Sequence, residues 1–470
     1  MGTQNPSPQE PVFWDRAALR EETTRVLDIC HGCRRCVHLC PSFTNVFKRI
    51  DEIEDQQTAA AGGVSAAAVL ASASTEMKEE GHHAAALDPT LASMQNPVEA
   101  LSDLDHQKVV SECFHCNLCY NLCPYHPPHR FQLDFPKLMQ RHVAVNVKEG
   151  KGRLRDKILA QVDLMGTLSS YFAPLVNFMN RWRPNRLLLR ALLGIHPDRN
   201  LPLFHFETFK NWWDGRGPKA RAAGRVAVFY TCSVNYNEPH IGKAAVAVLE
   251  KNGFEVVCPP QECCGMPHLD GGDLDSARAA AKHNVARFLP FAQQGVPIVA
   301  VGPTCSYMLK RDYPDLLQTE DSRLVAKATF DLTEFLMKLK KQGKLSLDFK
   351  EGEGAGKVAY QPACHLKNQN IGLKSKELLE LLPATTVAVV DRCSGHDGTW
   401  SMKEEFYELS MKYAKKLFDE IQQTGADAVS TDCPLAALQI HQGTGRAAVH
   451  PIELVAKAYG VDADQPQRPA

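Results

Sequence analysis

Residues 30–41 read CHGCRRCVHLCP, and residues 113–124 read CFHCNLCYNLCP. Both runs follow C-x2-C-x2-C-x3-C-P. Three thiols two residues apart let one short stretch of chain wrap three corners of a small inorganic cube. The fourth thiol has left that stretch, and the proline after it turns the chain away. Zinc sites and disulfide frameworks are the competing readings, but zinc sites usually use two separate C-x2-C pairs rather than a run of four.

The repeated run resembles the bacterial two-cluster ferredoxins, in which the fourth cysteine of each run ligates the other cluster. The resemblance therefore implies one 4Fe-4S cluster on Cys30, Cys33, Cys36 and Cys123. A second falls to Cys113, Cys116, Cys119 and Cys40. The neighbouring histidines His31, His38, His115, His126 and His129 read as polar loop residues. Residues 13–29 read as a short helix leading into the first run.

The chain has 470 residues, which suggests about three domains. Apolar residues make up 44% and charged residues 23%, as in ordinary globular proteins. A net charge of −1 supplies no field for nucleic acid. The sixteen cysteines stand in tight groups, and the N-terminus has no basic segment followed by an apolar run. Together these point to metal binding in a reducing, cytoplasmic compartment.

Between the two runs, an alanine-rich stretch near residues 54–100 reads as a flexible insertion, so residues 1–130 form one expected domain. Residues 131–224 read as a helical linker. Its uncharged stretch 164–180 has 17 residues and contains Pro174, too short and broken to span a bilayer. The following RWRPNRLLLRALL, residues 181–193, mixes arginines and leucines at helical spacing. Two readings stand: a helix lying in a membrane interface, on the cytoplasmic face of an inner membrane, or an interdomain helix packed on a neighbour.

From Arg225 the pattern becomes α/β. Apolar runs at 226–230 and 297–301 read as buried strands, with helices over Pro239–Lys251 and 273–294. The plan restarts with strands at 357–360, 387–390 and 426–430. Phe406, Leu409, Tyr413, Leu417 and Ile421 mark one apolar helix face. Residues 225–345 and 357–460 are thus expected to be two repeated α/β halves. Each half places cysteines just past strand ends. Cys232, Cys263 and Cys305 are 31 and 42 residues apart; Cys364, Cys393 and Cys433 are 29 and 40 apart. Buried structural cysteines would not reproduce that register.

The doubled pattern, with Cys264-Gly265-Met266-Pro267, Ala363-Cys364-His365 and Thr431-Asp432-Cys433, resembles the CCG-domain proteins. These include the D subunit of heterodisulfide reductase, the glycolate oxidase iron–sulfur subunit and, nearest in look, the C subunit of anaerobic glycerol-3-phosphate dehydrogenase. The resemblance implies a helical two-cluster ferredoxin module followed by two α/β cysteine-rich domains. The motif is incomplete here. Met308 stands where the first half's last cysteine belongs, Ala436 in the second, and Ser394 replaces half of the second double cysteine. The first half keeps Cys232, Cys263, Cys264 and Cys305, a set suited to a third Fe–S cluster or to zinc. The second keeps Cys364, Cys393 and Cys433, which His365 or His396 would complete as a zinc-compatible set.

No phosphate-binding fingerprint stands in its proper strand–helix context, so no flavin or nicotinamide site is evident. The resemblance implies an electron-transfer subunit with no catalytic residues of its own, relaying electrons between a partner flavoprotein dehydrogenase and quinone or another acceptor. Three alternatives accompany it: a donor to a rubrerythrin-type peroxide reductase, a disulfide-reducing enzyme, and a zinc-stapled docking scaffold.

Overall fold

The computed structural model describes residues 6–60, 96–221 and 223–461. Most of the alanine-rich stretch lies outside the described residues. In the part that is described, residues 54–60 continue the helix Pro41–Ala60. The chain divides into two compact units, Met1–Cys113 with Cys119–His142, and Phe114–Leu118 with Val143–Ala470.

The first unit is helical among its described residues. Asp15 caps helix Arg16–Cys33 by accepting the Ala18 N–H, satisfying one donor that the first turn leaves free. That helix carries Cys30 and Cys33 in its last turn, so the first motif begins inside a helix rather than in a loop. It ends at Arg34, which adopts the left-handed conformation at φ 50°. Pro41 then opens helix Pro41–Ala60, where a missing N–H costs nothing. Phe43 lies against Phe47 and Phe135, and Ser42 donates from Oγ to the Val109 carbonyl at 2.8 Å, fastening helix Asp103–Ser111.

The second unit is built on two four-stranded sheets. The first contains β1 (Arg225–Phe229), β2 (Glu255–Val257), β3 (Ile298–Ala300) and β4 (Thr329–Asp331), in the order β2-β1-β3-β4. The second contains β5 (Gly356–Gln361), β6 (Thr385–Val389), β7 (Ala428–Thr431) and β8 (Ala448–Val449), in the order β6-β5-β7-β8. Every pairing is parallel. Parallel sheets are covered on both faces, which is why β1 and β3 read as unbroken apolar runs. The two halves share one hydrophobic core, in which Val228, Val256 and Val299 join Tyr360, Ile452 and Val455. Cys258, outside the cysteine pattern, packs against that core.

Helix Pro239–Lys251 forms with Pro at its start, as the sequence predicts. Helix Glu404–Gln423 also forms, but its buried stripe is Ser410, Ala414, Leu417, Phe418 and Ile421. Phe406 and Tyr413 instead meet aromatic partners, Trp400 and Phe114. The linker folds into helices, among them Val162–Tyr171, Ala173–Arg181 and Arg183–Leu193. None of the described helices is long and apolar enough to cross a membrane.

Candidate metal centres

In the first unit the structure brings Cys123 together with Cys30, Cys33 and Cys36. Burial pushes the Cys30 thiol well up, and Cys123, Cys36 and Cys33 push it further. Cys36 is pushed up to about 11 by burial, with Cys123 and Cys33 adding to it. The fourth thiol of the second run thus lies among the first three of the first run. Cys40, Cys113 and Cys119 also fall in the first unit, whereas Cys116 lies in the Phe114–Leu118 segment of the second.

The first sheet delivers its cysteines from the carboxyl ends of β1, β2 and β3, where open α/β sheets place their sites. Cys232 opens helix Cys232–Tyr236, which Thr231 caps by accepting the Val234 N–H. Cys305 sits in helix Pro303–Tyr307. Cys263 Sγ lies 4.0 Å from Cys232 Sγ. Cys263 also interacts with Cys264, and Cys264 with Cys305. Cys263, Cys264 and Cys305 are buried. Gly265 lies at φ +89°, and a Cβ there would meet Ala280 Cβ at 3.2 Å and the Ala277 carbonyl at 3.3 Å. A glycine is needed to turn the chain out of the double cysteine against helix Leu274–Gln293.

All four thiol pKa values are raised. The Cys263 hydrogen bond and burial raise Cys232, whereas Cys263, Cys264 and Cys305 are each lowered by one hydrogen-bonded neighbour, Cys232, Cys263 and Cys264 in turn, which burial and the charges of the other thiols outweigh. Thiols raised in this way stay protonated, and a bound metal would ionise them outright. The donor set therefore fits a thiolate-bound metal group. A zinc ion, with Zn–S near 2.3 Å, would hold its sulfurs about 3.8 Å apart. Among the described residues no three of these sulfurs lie mutually within 4.8 Å. They form a chain of neighbours from Cys232 through Cys263 and Cys264 to Cys305.

One residue that the sequence reading missed completes this site. Asp163, in helix Val162–Tyr171, accepts the Cys263 backbone N–H at 2.7 Å and faces the Tyr236 hydroxyl at 3.4 Å. Burial raises its carboxyl above the usual range. A signal was present: it is the only acidic residue between Asp156 and Asp198.

The second sheet repeats the placement. Cys364 follows β5, Cys393 follows β6 and Cys433 follows β7. Burial raises the Cys364 thiol, and Cys116, Cys433 and Cys393 raise it further. Cys116 therefore lies close enough to Cys364 to act on it, while the three thiols at the strand ends are Cys364, Cys393 and Cys433. Cys393 is exposed, unlike its buried counterpart Cys263. His365 has both ring nitrogens in hydrogen bonds, Nδ1 with Thr304 Oγ1 at 2.9 Å and Nε2 with the His115 carbonyl at 3.2 Å. His115 lies in the loop between helices Asp103–Ser111 and Leu118–Leu122, as expected, but it does not face solvent. It is buried, with Nδ1 3.1 Å from Asp270 Oδ1. Burial lowers its pKa, but Asp270 outweighs burial and leaves it raised.

Residues 226–310 and 358–441 match the cysteine-rich domain, CCG, and residues 23–124 match the 4Fe-4S dicluster domain. Over 310 residues the chain is 36% identical to the C subunit of anaerobic glycerol-3-phosphate dehydrogenase from Escherichia coli (strain K12), covering 65% of this chain and 77% of that protein. It is 30% identical over 221 residues to lactate utilization protein A of Bacillus cytotoxicus, covering 44% and 87%. To lactate utilization protein A of an Exiguobacterium species it is 31% identical over 216 residues, covering 43% and 83%. The chain belongs to the family of CCG-domain iron–sulfur proteins that includes the C subunit of anaerobic glycerol-3-phosphate dehydrogenase.

Proposed function

We propose that this protein is an electron-transfer subunit that relays electrons, one at a time, from a partner flavoprotein dehydrogenase to a quinone-type acceptor. The observation that carries the reading is the grouping of Cys123 with Cys30, Cys33 and Cys36, the crossover that a two-cluster ferredoxin requires. On this reading one 4Fe-4S cluster takes those four cysteines, and a second takes Cys40, Cys113, Cys116 and Cys119. Cys232, Cys263, Cys264 and Cys305 hold a third Fe–S group. Cys364, Cys393 and Cys433 line a more open site, in which His365 serves as a bridge rather than a ligand. When bound, such clusters supply one-electron redox chemistry. The chain's own residues set the surroundings: Asp163 fixes the Cys263 amide, and burial of Cys263, Cys264 and Cys305 excludes water. Its relatives' names support the partner, since one is a dehydrogenase subunit.

A second observation supports contact with a membrane surface. Helix Arg183–Leu193 packs by its arginine side. Arg186 is buried and donates to the carbonyls of His196 and Pro197 at 2.9 Å each, while Arg190 pairs with Glu404. Leu188 and Leu192 point outward, and Leu168, Tyr171, Leu175 and Phe178 of the preceding helices are also half or more exposed. Residues 164–197 hold four arginines and no acidic residue. The outward apolar face, with its arginines turned inward onto carbonyls and acids, suits the apolar boundary of a membrane surface.

Iron, sulfide and zinc are to be counted on anaerobically purified chain, with EPR of the reduced form. About twelve irons and no zinc are expected, and fewer than about four would overturn the reading. Flotation with anionic vesicles tests the surface; a Leu188→Glu, Leu192→Glu variant that floats as wild type does would remove the membrane from it.

A further inference from the structure

Three cysteine-bearing segments of the second unit meet at one side chain. His365 follows Cys364 and is 5% exposed. Its Nδ1 meets Thr304, the residue before Cys305, and its Nε2 meets the carbonyl of His115, the residue before Cys116. A carbonyl oxygen only accepts, so Nε2 carries the hydrogen and Nδ1 accepts from the Thr304 hydroxyl. Tyr307 stacks on the ring, with centroids 5.3 Å apart and planes within 10°. Gln369 adds a second strap, donating from Nε2 to the His365 carbonyl at 3.2 Å, the Pro303 carbonyl at 3.3 Å and Ser306 Oγ at 2.8 Å. A metal at either ring nitrogen would break one of the His365 bonds.

We infer that His365 is a positioning residue, the junction that holds Cys116, Cys364 and Cys305 at fixed separations for electron passage between the groups bound there. The inference rests on the proposed relay function. On that reading a single electron would pass between the groups that Cys116, Cys364 and Cys305 would hold. The imidazole keeps its proton and changes no oxidation state. What His365 supplies is a rigid, neutral, hydrogen-bonded connection among three ligand-bearing segments, as the hydrogen-bond partners behind metal ligands do elsewhere.

The test uses the full chain, purified anaerobically, with His365→Leu, His365→Gln, Thr304→Val and Thr304→Ser variants. Histidine 15N NMR is expected to show the Nε2–H tautomer with an unliganded Nδ1 whose shift moves in Thr304→Val and returns in Thr304→Ser. Rapid freeze-quench EPR after a pulse of reductant is expected to show equilibration slowed about tenfold in His365→Leu. A smaller slowing is expected in Thr304→Val, with iron per chain unchanged in both. Loss of iron in His365→Leu would make the residue a ligand and overturn the inference, as would an unchanged rate or an Nδ1–H tautomer. Should His365→Leu not fold, the Thr304 pair decides by the same readouts. A chain without any EPR signal beyond the ferredoxin pair would sink the relay reading instead, leaving the tautomer and iron count to judge His365.

Discussion

The two halves of the second unit run the same strand order and place a cysteine after each of the same three strands, yet their sites differ. The first gathers four thiols, three of them buried, and takes the Cys263 amide onto the Asp163 carboxylate. The second has Ser394 where the first has Cys264, exposes Cys393, and lets the Cys393 sulfur itself take the Gly395 N–H at 3.3 Å. Duplication preserved the scaffold, because strand spacing and the shared core fix it. The donor set was free to diverge, because single side chains at strand ends carry little of the fold. The sharpest way to break this contrast is to exchange the differing residue. Cys264→Ser should cost the protein about four irons per chain, and Ser394→Cys should restore a four-thiol set and raise the count. Unchanged iron in Cys264→Ser would mean the closed first site is not the occupied one.

The glycines after the cysteines sharpen the comparison from the fold side. Gly395 lies at φ +64°, and a Cβ there would stand 2.3 Å from the Ser410 carbonyl, a backbone atom that cannot yield. At Gly265 the nearest contacts are 3.2–3.4 Å. Both positions carry the left-handed penalty, but only Gly395 adds a hard clash. Gly395→Ala should therefore lose about 3–5 kcal/mol and Gly265→Ala about 1–3 kcal/mol in denaturant unfolding. Equal losses would show that the conformation alone sets the cost.

Most of this architecture was legible in the sequence, and the exceptions have physical causes. Strands β1, β3, β5 and β7 announce themselves because a parallel sheet buries both faces of its strands. The matching cysteine intervals follow from the same strand order in both halves, with a 20-residue helix between the second and third cysteine of each. Asp163 stood out as an isolated acid in an uncharged stretch, but its role was not legible, since it lies 100 residues before the amide it binds. The Cys116–Cys364 proximity and the burial of His115 likewise depend on tertiary packing. The helical start of the first motif was missed because helix Arg16–Cys33 runs past Gly32 and stops at Arg34, a residue that seldom adopts a left-handed cap. The outward leucines of helix Arg183–Leu193 were ambiguous in the sequence, because an amphipathic pattern does not say which face is buried.

A carboxylate on one amide makes a smaller prediction. Asp163→Ala leaves the Cys263 N–H without its acceptor in a half-buried setting. It should destabilise the first half by about 1–3 kcal/mol. Protection of the Cys263 amide against hydrogen exchange should fall, while the Cys393 amide is unaffected. Loss of protection at both would mean that the halves do not open separately.

The last contrast is one of pH. The helix after β4, Leu332–Lys341, is capped by Asp331 in a capping box with Glu334. The helix after β8, Pro451–Tyr459, has the same box with Glu453 but a histidine, His450, as its cap. His450 Nδ1 accepts the Ile452 N–H at 3.1 Å, so the ring must stay neutral there. Burial, aided by nearby His240, pushes His450 down to about 3. The sign follows from proton counting. Between pH 6.5 and 3 the unfolded chain protonates this histidine and the folded chain does not. Stability is therefore complete above pH 6.5 and lost as pH falls, by about 1.4 kcal/mol per unit. His240, Glu238 and Glu453 surround the same cap in both proteins being compared. The difference between wild type and His450→Asn therefore isolates the ring. Asparagine caps helices well and carries no proton. Urea midpoints from pH 7 to pH 4 should converge on acidification, with His450→Asn keeping the stability that wild type loses. Parallel acid limbs would place the sensitivity in the His240–Glu453 pair instead, and the two caps would then differ in chemistry but not in consequence.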